Sequence, residues 1–157
     1  MIRIESSVQI SRPRDQVFGF LTDLDNLPKW QTGVIQSKRL TDGPVRAGFR
    51  FAETAKVGPW KLDTVCTVTD LKPAERFAFE ARSSGPLDYE GSFDLQPMAG
   101  GTRLSVNGSA RLKGLWRLLQ PLLAGDLHKE TRRELETIRR LMEEGISAET
   151  RLAPDQN

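Results

Sequence analysis

The sequence predicts an α+β fold, a seven-stranded curved antiparallel sheet closed by one long C-terminal helix. Three observations carry this. Residues 2–10 alternate, with Ile2, Ile4, Ser6, Val8 and Ile10 on one face and Arg3, Glu5, Ser7 and Gln9 on the other. From Gly33 to Leu112, turn signals recur at a spacing of roughly ten residues, the mark of an antiparallel meander. After Lys113 the period changes: Leu127, Thr131, Leu135, Ile138 and Met142 repeat at helical spacing.

Each element follows in order. The alternating opening segment reads as a strand with one buried face. Ser11 is placed to cap a short helix, with Pro13 in its first turn and Asp15 favourable to the helix dipole. Val17, Phe18 and Leu21 give that helix its apolar stripe. Asp23 is placed to cap a second short helix, Leu24 to Leu27, followed by Pro28 and Trp30. Breaks at Asp42-Gly43-Pro44, Gly58-Pro59, Lys72-Pro73, Gly85-Pro86 and Pro97 to Gly101 then separate six strands. These are 34–40, 49–55, 60–71, 76–82, 87–96 and 102–112. Pro121 kinks the start of the last helix or separates a preceding turn from it. Gly145 is a plausible stop, which gives a domain over 1–145 and a polar, unpatterned tail over 146–157, expected to be disordered.

Composition narrows the functions. The chain has 157 residues, enough for one domain with a real core. A formal net charge of +2 gives no bulk attraction for nucleic acid. Cys66 is the single cysteine, which excludes an internal disulfide and a cysteine-rich zinc site. His128 is the single histidine, which excludes a multi-histidine metal site. No secretory signal or transmembrane run is visible, and with a free cysteine the expected location is the cytoplasm. No metal or cofactor is implied.

A resemblance adds to this reading. Val8-Gln9-Ile10 leads into Arg12-Pro13 and Val17-Phe18; then come Asp23 with Pro28-x-Trp30, and Gly48. Val68-Thr69-Asp70-Leu71-Lys72-Pro73, Gly100-Gly101-Thr102 and the final helix complete the set. Over residues 2 to 144 the chain resembles the SRPBCC or START-like superfamily, with its Bet v 1-like helix-grip fold. Within it, the chain is similar to the polyketide cyclase/dehydrase-like branch. The shared residues mark helix starts, turns and core aromatics rather than chemistry. The resemblance implies an apolar cavity between sheet and helix.

The candidate ligand-binding residues are the inward strand positions. Alternation from Val68 puts Trp60, Leu62, Thr64 and Cys66 on one face. Phe77 and Phe79 share a face, as do Phe49 and Phe51, and as do Tyr89 and Phe93. Trp30 is either a core plug or a pocket wall. The candidates are thus Trp30, Phe51, Trp60, Thr64, Phe77, Phe79, Tyr89 and Phe93. Leu119 and Leu122 join them from the segment Leu115 to Leu123, whose wide apolar arc reads as buried cover, a lid over the cavity mouth, or a patch for membrane or protein. Tyr89 and Thr64 would orient a ligand. His128 reads as a solvent-facing residue and Cys66 as a small buried hydrophobe.

The expected function is binding of a hydrophobic small molecule, with lipids, isoprenoids, quinones and polyketide-like aromatics all suggested by the resemblance. The alternatives are a polyketide cyclase or dehydratase, and a membrane or protein interaction module. A cyclase needs an acid or base inside the cavity. The strand acids Asp63, Asp88, Glu90 and Asp94 are expected to face outward, so no catalytic residue is assigned.

Overall fold

The computed structural model describes the backbone of residues 1–57 and 60–152 and the side chains of 1–56 and 61–145. Seven strands form one antiparallel sheet: β1 (Ile2–Ile10), β2 (Val34–Arg39), β3 (Arg50–Val57), β4 (Trp60–Lys72), β5 (Arg76–Ser83), β6 (Leu87–Met98) and β7 (Gly101–Leu112). Their order across the sheet is β1-β7-β6-β5-β4-β3-β2. All but one connection therefore joins neighbours. The exception, from β1 to β2, spans the sheet and carries α1 (Arg14–Thr22), a 3-10 turn (Leu24–Asn26) and α2 (Leu27–Trp30). The helix α3 (Gln120–Leu152) packs against β1 and α2.

The expected faces are the observed ones. Ile2, Ile4 and Ile10 are buried on β1, and Leu104, Val106, Ala110 and Leu112 on β7. Cys66 and Val68 are buried on β4, and the register slips by one residue between Val68 and Asp70. Such a bulge bends the strand. Leu135 and Ile138 of α3 are fully buried, while Leu127, Thr131 and Met142 are half-buried. Leu127 and Thr131 reach less deeply because the sheet beneath them is hollowed.

Three local expectations are corrected. Ser11 does not cap α1. The cap position is Pro13, which has no side-chain bond, and the Ser11 N–H instead donates to the Glu143 carboxylate at 3.1 Å. The same junction holds Arg12, a buried guanidinium with two hydrogen bonds to the Met142 carbonyl at 2.8 and 3.0 Å. The start of α1 is thus tied to the end of α3 rather than capped locally. Gly145 does not stop α3, which continues to Leu152; Gly145 is not among the glycines with positive φ, so it forms no left-handed cap. Residues 153–157 of the expected tail lie outside the described residues. Finally, Leu115 to Leu119 is not buried cover. It forms a 3-10 turn over Gly114–Leu119 in which no residue is buried, and Pro121 then opens α3. Asp23 does cap as expected, accepting the Asp25 N–H at 3.1 Å.

The core is divided. One cluster joins α1, α2, the middle of the sheet and the Leu135–Ile138 turn of α3. A smaller one gathers Ile2, Ile4, Ala110 and Leu112 with Leu87, Tyr89, Leu123, Ala124 and Leu127. The functional site lies where these two clusters would otherwise meet.

Candidate functional site

A cavity of about 270 Å³ separates the two clusters under α3. Close-packed interiors leave few voids larger than a water molecule, so a space of this size is a feature of the fold rather than a packing defect. One wall is aromatic. Phe77 stacks on Phe93 with ring centres 6.4 Å apart, and Phe79 lies 6.1 Å from Phe93 and 5.7 Å from Tyr89. Trp30 meets Phe93 edge-on at 5.8 Å. These rings come from β5, β6 and α2 and line the cavity together. The register explains the row, because Phe77 pairs directly with Phe93, and Phe79 with Gly91.

Gly91 and Gly108 pair across β6 and β7 and leave room for Tyr89. A Cβ at Gly91 would stand 2.6 Å from the Tyr89 hydroxyl, and one at Gly108 only 2.2 Å. Two adjacent glycines on the inner face thus let the phenol lie along the sheet. Burial raises its pKa to about 12, with the negative charge of Glu134 adding to the effect. Tyr89 is therefore a neutral hydroxyl at physiological pH, and no protein acceptor takes its proton among the described residues.

The same cavity is lined by three carboxyl groups, from Glu53 on β3 and Glu130 and Glu134 on α3. Their presence corrects the expectation that no acid faces inward. Glu53 is 7% exposed, and its only hydrogen bond among the described residues is a long one, 3.4 Å, from the Gln31 amide. Burial raises its pKa to about 7. One oxygen of Glu134 accepts the Thr32 N–H at 3.0 Å. Burial raises its pKa to about 8, and the charges of Glu130 and Glu53 add to this. Glu130 is also raised, by burial first. Glu134 thus feels both of the other acids, and among the described residues no lysine, arginine or histidine lines the cavity with them. Carboxyl groups near neutrality can hold or give up a proton at physiological pH, which is the condition for acid–base work.

The remaining sequence candidates fall into three groups. Trp30, Phe51, Thr64, Phe77, Phe79, Tyr89 and Phe93 all line the cavity. Trp60 pairs with Val57 at the start of β4, and its side chain is outside the described residues. Leu119 and Leu122 do not line the cavity; they are 37% and 74% exposed. The turn ahead of α3 directs its leucines away from the sheet, and Leu123, not Leu122, packs inward. His128 is exposed, and Cys66 is a buried free thiol whose pKa burial pushes up. Asp63, Asp88, Glu90 and Asp94 do not line the cavity; Asp88 pairs with Lys113 and Arg82, and Asp94 with Arg76. Among the described residues, no group of acids, histidines and cysteines is arranged to hold a metal.

The missed acids had a signal. Glu53 stands two residues after Phe51 and four after Phe49, so strand parity alone puts it inward. Glu130 and Glu134 are neighbours of Thr131 and Leu135 on the helical stripe, four residues apart on one face.

A sequence profile described as "Polyketide cyclase / dehydrase and lipid transport" matches residues 1–143. The chain belongs to this family. The family description spans ring-forming catalysts and lipid carriers, and so supports small-molecule binding or cyclase chemistry in general. Solved structures share the fold. A conserved protein of Geobacillus kaustophilus aligns with a TM-score of 0.78 at 20% identity, covering 92% of this chain and 96% of that one. A protein of Thermus thermophilus gives a TM-score of 0.76 at 18% identity, with 91% and 98% covered. The Zhui aromatase/cyclase from a Streptomyces species gives 0.73 at 14% identity, with 92% and 94% covered. No curated protein sequence matches the chain.

Proposed function

We propose that the chain binds a hydrophobic small molecule, a lipid, isoprenoid, quinone or polyketide-like aromatic, in the cavity under α3. The observation that carries this reading is the 270 Å³ space itself, walled by Phe77, Phe79, Phe93 and Trp30. Affinity would come from burying apolar ligand surface, at roughly 25 cal/mol per Å² before the entropic cost of association. Thr64 and Tyr89 supply orientation. The test pairs native mass spectrometry of freshly purified protein with uptake of a neutral fluorescent naphthalene. Ala81 lines the cavity and is half-buried, so Ala81→Trp should fill the space. The expected result is probe uptake by the parent chain and at least a tenfold weaker affinity in the variant, with an unchanged circular dichroism spectrum. Equal uptake by both would place the probe elsewhere and end the cavity reading.

A second reading is favoured by a specific observation, the pair Glu53 and Glu134. With pKa values raised to about 7 and 8 by burial, they support proton transfer to a bound carbonyl compound, as a cyclase or dehydratase requires. Cyclisation of a poly-β-ketone mimic that is lost in Glu53→Gln would favour this reading over simple carriage.

The turn ahead of α3 supports contact with a membrane surface. Leu115, Leu118 and Leu122 are 84%, 79% and 74% exposed, with Trp116 beside them. No described helix is long and apolar enough to cross a membrane, so the contact would be peripheral. The free thiol of Cys66 supports a reducing compartment such as the cytoplasm.

A further inference from the structure

We propose that the molecule held in this cavity is a protonated amine, an apolar body ending in an ammonium group that docks between Glu53 and Glu134. The inference rests on the cavity reading above and names the ligand class that the cavity takes.

The cavity gathers three acids and offers them no cation among the described residues. Glu53 from β3 meets Glu130 and Glu134 from α3 in one apolar space. None of the three forms an ion pair among the described residues. The titratable groups around them are the thiol of Cys66 on β4 and the phenol of Tyr89 on β6, both neutral. Asp126 and Arg133 act on Glu130 from the same helix, and neither lines the cavity. The link from α2 to β2 contributes only uncharged Gln31 and Thr32. More than nine-tenths of Glu53 is buried, yet its second carboxylate oxygen accepts no hydrogen bond among the described residues, and the residue borders the cavity. A buried carboxylate held by a single long hydrogen bond is costly to ionise, and an arriving donor recovers part of that cost.

Ligand chemistry separates on this point. A carbonyl group asks for one protonated acid and leaves two more unexplained. A ligand carboxylate or phosphate finds no cation among the described lining residues, and is repelled by whichever of the acids is ionised. An ammonium ion gives three donors, neutralises the excess, and makes charge-assisted bonds roughly twice as strong as neutral ones. Its apolar body lies on the Phe77, Phe79 and Phe93 rings, whose faces also favour a nearby cation. Binding near neutral pH releases the proton that Glu53 or Glu134 holds.

The test uses three probes of one shape, 1-naphthylmethylamine, 1-naphthylmethanol and 1-naphthoic acid, in calorimetric titrations of the full chain. The amine should bind roughly tenfold or more tightly than the alcohol at about pH 8.5, a gap of about 1.4 kcal/mol. Amine affinity should fall on going to about pH 6, alcohol affinity should not, and buffers of different ionisation enthalpy should report proton release with the amine alone. Glu53→Gln, checked for folding by circular dichroism, should shrink the amine-to-alcohol ratio, and Glu53→Gln with Glu134→Gln should remove it. If the alcohol binds and the amine gains nothing, or the acid binds best, the ammonium proposal fails while the cavity reading stands. If none of the three binds, both fail together. An amine preference that survives both substitutions would also overturn the proposal, because the charge would then be met elsewhere.

Discussion

Glu53 places a carboxyl group where a β-strand of this kind ordinarily puts a valine or phenylalanine. Burial raises its pKa from 4.5 to about 7, so the folded protein holds this proton where the unfolded chain has released it. Linkage fixes the sign. The folded state binds more protons between the two pKa values, so stability is highest below the unfolded value and declines as pH rises through the folded one. Glu134 acts in the same direction, up to about pH 8. The chain should therefore lose stability between about pH 5 and 8, by an amount on the order of 3 kcal/mol from Glu53 alone. Glu53→Gln removes one of the titrating groups while keeping its shape. Urea denaturation at several pH values should show a flatter profile in this variant and a higher stability than the parent at pH 8. A parent profile that rises toward pH 8 would mean that the carboxylates are solvated in the folded state.

At the scale of elements, the fold depends on how α3 is fastened. Its C-terminal half is gripped at Leu135 and Ile138 and again at Met142, where the Arg12 guanidinium takes the carbonyl oxygen. The Arg12 carbonyl in turn accepts the buried Thr102 hydroxyl at 2.7 Å, so one residue links β1, β7 and α3. Arg12→Ala should cost about 2 kcal/mol, as expected for losing hydrogen bonds to a charged group. In a domain of this size that is a fall in Tm on the order of 5 °C by calorimetry. Arg12→Lys should recover only part, because an ammonium cannot present the guanidinium fork. An unchanged Tm in Arg12→Ala would mean that the buried charge costs as much as its bonds return. This link also shows the limit of sequence reading. Strand spans, faces and the α3 stripe are local and periodic, and they were legible to within about two residues, in line with the usual boundary error. The Ser11 cap was not, because a contact between residues 11 and 143 outcompetes a local bond. The inward aromatics were legible from parity, since a strand shows its faces in every second residue. Glu53 obeys the same parity but is a charged residue in a position that composition reserves for apolar ones, so the two signals point in opposite directions there.

For the whole molecule, the cavity divides the core, and the exposed leucines sit on the turn leading into α3, the helix that covers the cavity. From Leu95 to Gly125 the chain has no acidic residue, and it carries Arg103, Arg111, Lys113 and Arg117. Arg117 is exposed on the same turn as Leu115 and Leu118, whereas Lys113 is paired with Asp88 and Arg111 lies opposite Asp88 in the β6–β7 ladder. Leu123 anchors the base of this turn in the smaller core cluster, so the outer leucines stand on a fixed support. An apolar tip with Arg117 on it matches the surface of an anionic bilayer, where a basic residue contributes about 1 kcal/mol and the leucines and Trp116 enter the headgroup region. The chain should therefore sediment with vesicles that contain phosphatidylserine and much less with phosphatidylcholine alone. Leu118→Asp with Leu122→Asp should abolish sedimentation without lowering Tm, because neither side chain is buried. Raising the salt concentration should weaken binding by screening Arg117, and should leave the apolar contribution in place. Equal sedimentation with both lipids would remove the electrostatic part of this account. No sedimentation with either, together with a mass corresponding to two chains in solution, would assign the leucines to a second copy of the protein instead.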